Sequence, residues 1–205
     1  MVILFFIVFI YSIVVHEVAH AWAADIFGDP TARYEGRITF NPVSHIDLWW
    51  SILLPVMMYI SSGMLFGGAK PVPVNPLRFY NRRLGISLVS LAGPLSNLTL
   101  GFAAAAILNI LVFFNIAPYF LVDLLLKTFQ INIVLAVFNL LPIPPLDGSK
   151  LLVYFMPPEY EYTMYRMEFI GFFILIGLMM TDVFGKIISF VLVPAYHLVI
   201  PLNIL

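Results

Sequence analysis

The first fifteen residues of this chain carry no charge and run straight into His16-Glu17-Val18-Ala19-His20. Tyr11 and Ser12 are the only polar side chains in that run. An apolar stretch of this kind reads as membrane-embedded. On a helix, two imidazoles four residues apart share one face, about one turn from each other. Such a face offers two ring nitrogens to one Zn²⁺, with the intervening glutamate available as a base. A zinc hydrolase site buried in lipid implies peptide-bond cleavage inside the membrane.

The rest of the chain agrees with that placement. Of its 205 residues, 62% are hydrophobic and 10% charged, against roughly a quarter charged in a soluble domain. Mean hydropathy is +1.01. The net charge of −1 gives no reason to expect a nucleic-acid partner. The absence of cysteine removes a disulfide framework, a thiolate metal ligand and a thiol nucleophile. Ala21-Trp22-Ala23 mimics a signal-peptide cleavage site, but the first basic residue is Arg33. A charged n-region is therefore missing, and residues 1–27 are expected to stay as a transmembrane helix.

Reading on, the sequence predicts an all-α polytopic membrane protein. It is expected to have about five transmembrane helices, a re-entrant segment, and a small β-hairpin or extended strand near the cytoplasmic face. Gly28-Asp29-Pro30 stops the first helix. Residues 31–40 alternate weakly, which predicts a hairpin over 31–45. An apolar segment over 46–68 begins with Trp49-Trp50, which suit an interface. Three prolines in Lys70-Pro71-Val72-Pro73-Val74-Asn75-Pro76 forbid a helix and predict an extended loop over 69–83. Spans follow over 84–114 and 119–141, the latter breaking at an Asp-Gly element that runs to 156. The last two spans are expected over 162–180 and 183–200. The whole of 1–205 reads as one membrane-embedded domain.

Parity decides the role of segment 46–68. The zinc motif, Gly93-Pro94-Leu95-Ser96-Asn97 and Asp147 meet at one depth most easily if that segment enters and leaves on the same side. Re-entrant backbone is tolerated where protein or a wet cavity covers it. With this topology one face holds Arg33, Arg37, Lys70, Arg78, Arg82, Arg83, Lys150 and Arg166, and the other holds Lys127 and Lys186. A full crossing would even out that split. The positive-inside rule thus prefers the re-entrant arrangement, with the N-terminus outside and the zinc motif nearer the cytoplasm. The expected location is the plasma membrane, with multiple passes.

Catalytic zinc takes about three protein ligands and a water. Beyond His16 and His20, the candidates are Asp147, Asp123, Asp182, His45, Asp47 and His197. Only Asp147 combines membrane location, irregular backbone and a following glycine that allows a tight turn. Its structural alternative is a helix N-cap. Glu17 is about 100° round the helix from His16, a poor direction for coordination but a good one for touching a metal-bound water. Its alternative is an outer-sphere partner of a histidine.

His16 to His20, followed by Phe138-Asn139-Leu140-Leu141-Pro142-Ile143-Pro144-Pro145-Leu146-Asp147-Gly148, resembles the paired signature of the site-2 protease family of intramembrane zinc metalloproteases. The family's second motif reads roughly Asn-x-x-Pro-x-x-x-x-Asp-Gly, and every fixed position is met. Ala92-Gly93-Pro94 through Asn97 resembles an element of the intervening span. Ala69 through Pro76 is similar to a segment of the compact bacterial branch. The resemblance covers about residues 12–152. It implies one Zn²⁺ per chain held by His16, His20 and Asp147, with Glu17 as the base. It also implies that Asn139 helps hold substrate or the oxyanion, a task an amide donor can perform. The residue-level alternative for Asn139 is an interhelical hydrogen bond.

The expected substrate is a transmembrane protein within the lipid bilayer, cleaved in or near its span. A helical substrate must unwind first, and the strand at 70–76 can pair with it by strand addition. Val72 and Val74, with Asn97, are therefore the substrate-binding candidates. Gly93 and Pro94 read as close-packing and kink residues, and His45 as interfacial structure. The chain departs from larger family members: no PDZ domain, CBS pair or span ahead of the zinc helix is expected. Two rival readings are a metal-ion transporter, since intramembrane His and Asp also mark ion pathways, and a catalytically inactive membrane scaffold.

Overall fold

Helix α1 (Val2–Ile26) is apolar all round. Ile3, Phe6 and Ile10 are exposed while Val14 and Ala21 are buried, as expected for a helix with lipid on one side and protein on the other. A computed structural model describes residues 2–47 and 70–200, together with Leu53, Met57 and Ile60. Apart from those three and Ile46 and Asp47, the segment expected to be re-entrant lies outside the described residues. Gly28, at φ +105°, turns the chain after α1, the left-handed conformation that glycine adopts without strain.

The hairpin expected over 31–45 is not there. Thr31–Tyr34 forms one helical turn, α2, and Pro42–His45 a 3-10 turn, with no strand among the described residues. Local hydrogen bonds explain the difference. Asp29 Oδ1 accepts from both the backbone and the hydroxyl of Thr31, starting a turn where the alternation predicted a strand. Arg37 N then donates to Ala32 O, and Gly36 sits at φ +65°. Backbone groups that a ladder would need are consumed within the loop.

After the proline-rich stretch, a 3-10 turn (Pro76–Arg78) leads into α3 (Arg82–Phe113). Asn81 caps α3, its Oδ1 accepting from Leu84 N. Helices α4 (Tyr119–Asn139), α5 (Asp147–Leu151), α6 (Pro158–Met179) and α7 (Asp182–Val199) complete the chain. Four helices are long and apolar enough to cross a membrane: Ile3–Ile26, Arg82–Phe113, Tyr119–Asn139 and Asp182–Val199. Helix α6 makes a fifth when its two parts, Pro158–Met164 and Arg166–Met179, bent by 56°, count as one span.

Helix α3 is the centre of the bundle and packs on both α1 and α4. Small residues on α3 make the second contact close: Ala104 and Ala105 lie with Leu108 against Leu125, Phe129 and Ile133, as in membrane helix pairs generally. A second buried cluster joins the end of α1 to the start of α3 through Ala24, Phe79, Ile86 and Val89, with Val153 and Met164. Arg83 fastens the turn after α5 by donating to the carbonyls of Val153, Tyr154 and Met156. Arg82 pairs with Glu161 on α6. These fastenings hold α5 against α3, with its first residue, Asp147, reaching α1.

Candidate active site

One turn of α1 carries His16, Glu17 and His20. Asp147 arrives from the far end of the sequence at the first residue of α5. His16 Nε2 and His20 Nε2 stand 3.0 Å apart, and Asp147 Oδ2 is 3.2 Å from each. The position that caps α5 belongs to Leu146, with no side-chain cap bond, so the Asp147 carboxylate is turned to the imidazoles instead. Gly148 explains how α5 reaches this point. It has no positive φ; rather, a Cβ there would strike the carbonyls of Leu140 and Leu141 at the end of α4. The glycine provides close approach, where the sequence had pointed to a tight turn.

The far nitrogens of both rings fix which atoms face the site. His20 Nδ1 donates to Val89 O at 2.7 Å, and His16 Nδ1 donates to Asn97 Oδ1 at 2.6 Å. Oxygens of these types only accept, so each neutral ring keeps its proton on Nδ1 and presents a bare Nε2. Two nitrogen lone pairs and a carboxylate oxygen therefore converge with no proton to share among them. Such a triangle is repulsive unless a cation fills it. Tetrahedral zinc with bonds of about 2.0–2.1 Å sets its donors roughly 3.3 Å apart, close to the 3.0–3.2 Å found here. The donor set thus fits Zn²⁺, and it is the one group of three metal-binding side chains among the described residues.

Gly93 of α3 is part of the same geometry. A Cβ at that position would lie 2.6 Å from His16 Nε2 and clash with His20 Nε2. The close-packing role read from the sequence is therefore specific: α3 passes directly behind the metal-facing edges of both rings.

Residues 115–178 match the sequence profile of Peptidase family M50. The chain is 39% identical over 180 residues to a Bacillus subtilis protein named "Putative zinc metalloprotease YwhC", covering 85% of this chain and 79% of that one. The chain belongs to peptidase family M50, the site-2 protease family. Two M50 relatives carry the printed name "Putative zinc metalloprotease Rip2". That of Mycolicibacterium smegmatis is 30% identical, over 85% of this chain and 66% of its own. That of Mycobacterium tuberculosis strain Erdman is 33% identical, over 72% and 55%. No solved structure matches. The chain is a metalloprotease of this family and a multi-pass membrane protein.

In this M50 chain the three donors open onto a cleft of about 1200 Å³, whose walls include Glu17, Val72, Asn139, Lys150, Arg166 and Phe169. Glu17 faces the cleft and its Oε2 accepts from Val72 N at 2.9 Å. Asn139 also faces the cleft, with its Nδ2 donating to Leu135 O at 2.9 Å. Asn97 does not: it is fully buried behind His16. His45 is buried in the loop, bonded to Thr39 O. Asp123 pairs with Lys127 on α4, away from the donors.

The proline-rich stretch crosses this cleft as a strap fixed at both ends. Lys70 N donates to His45 O, and Arg37 Nη2 holds Lys70 O. At the other end Asp29, fully buried, accepts from Asn75 N at 2.6 Å. Reading the sequence gave Asp29 only the task of ending a helix and Arg37 only a place in the count of basic residues on one face. Their fastening role left no motif, because their partners are backbone atoms more than thirty residues away. Among the described residues, the Val74 N–H and the carbonyls of Val72 and Pro73 have no partner.

Proposed function

We propose that this M50 metalloprotease hydrolyses peptide bonds in or near the transmembrane segments of membrane proteins, using one Zn²⁺ held by His16, His20 and Asp147. The observation that supports it most strongly is the convergence of three bare donors, two from one turn of α1 and one from α5. Bound there, zinc supplies Lewis acidity, lowering the pKa of its water toward about 7 and polarising the scissile carbonyl.

The chain's own residues do the rest. Glu17 takes the proton of the attacking water and passes it to the leaving amine as the C–N bond breaks. The Asn139 amide has two N–H groups; one is given to Leu135 O, and the second is free to donate to the oxygen that becomes negative. A substrate segment, once unwound, lies along the strap. Unpartnered among the described residues, the Val74 N–H and the Val72 carbonyl offer it a short edge to pair with. Proline at 71, 73 and 76 has no N–H to give, which restricts pairing to that edge.

The bias of Lys and Arg toward one side of the bundle supports an N-terminus outside the plasma membrane and a cleft nearer the cytoplasm. The test uses purified full-length protein in lipid vesicles with single-span substrates, comparing wild type with Glu17→Gln. The expected result is equal zinc content and cleavage by wild type alone. Zinc flux into vesicles without cleavage would favour a transporter, and equal cleavage by both proteins would remove Glu17 from the reaction.

A further inference from the structure

Behind His16 a line of buried polar side chains crosses three helices. Asn132 on α4 has its Nδ2 donating to Thr128 O at 2.8 Å and to Ser12 Oγ at 2.9 Å. Its Oδ1 accepts from Asn97 Nδ2 at 2.8 Å, and that same Nδ2 donates to Ser12 O at 3.1 Å. Asn97 Oδ1 accepts from His16 Nδ1. Ser12, Asn97 and Asn132 are all essentially inaccessible.

The direction of every bond in this line is forced. Thr128 O is a carbonyl and only accepts, so the Asn132 amide cannot turn over without facing oxygen to oxygen. That leaves Asn132 Oδ1 toward Asn97. Asn97 Nδ2 faces two oxygens, Asn132 Oδ1 and Ser12 O, so its own Oδ1 must point at His16. A flipped Asn97 would offer N–H groups to His16 Nδ1, and the ring proton would move to Nε2, where no metal can bind.

We propose that Asn97 and Asn132 are positioning residues for the metal: they form a one-way hydrogen-bond chain from α4 through α3 to α1 that holds the His16 proton on Nδ1. Asn97 touches the ligand directly; Asn132 acts only by denying Asn97 its other orientation. Lipid provides no water to satisfy a misplaced amide, which is why the line is closed at its far end by a backbone carbonyl. The proposal rests on the reading of His16 as a metal ligand.

The test has two readouts on full-length protein in micelles at one fixed pH above neutrality. The first is the ¹⁵N spectrum of histidine-labelled, metal-free protein, with His16 assigned by its loss in His16→Gln. The second is zinc affinity by competition with a chromophoric chelator. His16 is expected to carry its proton on Nδ1 in the wild type. Asn97→Leu should weaken zinc about 10–100-fold, the usual cost of losing an outer partner. Asn97→Asp, which keeps an acceptor against Nδ1 but sets its other oxygen against Asn132 Oδ1 and Ser12 O, should fall between wild type and Asn97→Leu. Asn132→Leu should weaken zinc about tenfold in the wild-type background. In the Asn97→Asp background it should cost less, because there it also removes an oxygen that faces the second carboxylate oxygen. Any of three results overturns the chain: a His16 proton on Nε2, wild-type affinity in Asn97→Leu, or an equal cost of Asn132→Leu in both backgrounds. A wild type that takes up no zinc defeats the metal reading instead, and the His16 tautomer still judges the hydrogen-bond chain.

Discussion

Gly93→Ala adds a single carbon, and the structure says where that carbon goes. The new Cβ would stand 2.6 Å from His16 Nε2 and Cε1 and clash with His20 Nε2. An ordinary contact needs about 3.4 Å or more, so the rings must retreat by roughly 0.8 Å, against a tolerance of about 0.2 Å in metal–ligand distance. Neither ring is free to do so, since His16 is bonded to Asn97 at 2.6 Å and His20 to Val89 O at 2.7 Å. Moving that far stretches both bonds to about 3.4 Å, where little of a hydrogen bond survives. We expect zinc affinity to fall at least about 100-fold, or about 2.7 kcal/mol. The fold should behave differently. Alanine in a helix interior gains about 1 kcal/mol over glycine, offset by about 1–3 kcal/mol of overpacking. Metal-free stability should therefore change by no more than about 2 kcal/mol by the same sum. Zinc competition and thermal unfolding of the metal-free protein, run on the same preparation, separate the two effects. Zinc binding within about threefold of wild type, a change of under about 0.7 kcal/mol, would refute the geometry.

Three further outcomes follow from the same contacts. Asp147→Ala removes one of three donors and should abolish stoichiometric zinc in the dialysed protein, measured by atomic absorption, while leaving helix content by circular dichroism unchanged. Val72→Pro deletes only the N–H that Glu17 accepts, in a stretch already compatible with proline. Turnover of a single-span substrate should change by about tenfold, on the scale of one charge-assisted hydrogen bond of about 1.5 kcal/mol, with zinc content unaltered. Gly148→Ala forces a Cβ onto the Leu140 and Leu141 carbonyls. It should lower unfolding stability by about 1–3 kcal/mol and zinc uptake together.

Much of the site was legible because its chemistry is confined to rare residue types. In a chain this apolar, His16, Glu17, His20 and Asp147 stand out wherever they fall, and helical periodicity alone aligns His16 with His20. The spans announced themselves by length and hydropathy. The failures share a cause as well. Residues 31–45 were read from weak alternation, which cannot register that Asp29 and Thr31 bond to each other and begin a turn. Gly148 was read for its backbone freedom, whereas its use is to let α5 lie against the end of α4. No motif in the sequence singles out Asn132 or Ser12. Only the crossing of α1, α3 and α4 reveals that they meet, because hydrogen bonds between distant helices leave no periodic trace.

The strap over the cleft is nailed down at Asp29 and at Arg37, with its middle held to Glu17. A sill fixed in this way faces a jamb of different make across the opening. That jamb is α6, bent near Tyr165 and bringing Arg166, Glu168, Phe169 and Phe172 to the opening. The cleft thus has one wall pinned to the loop beside the zinc-motif helix and another built from a bent helix late in the chain.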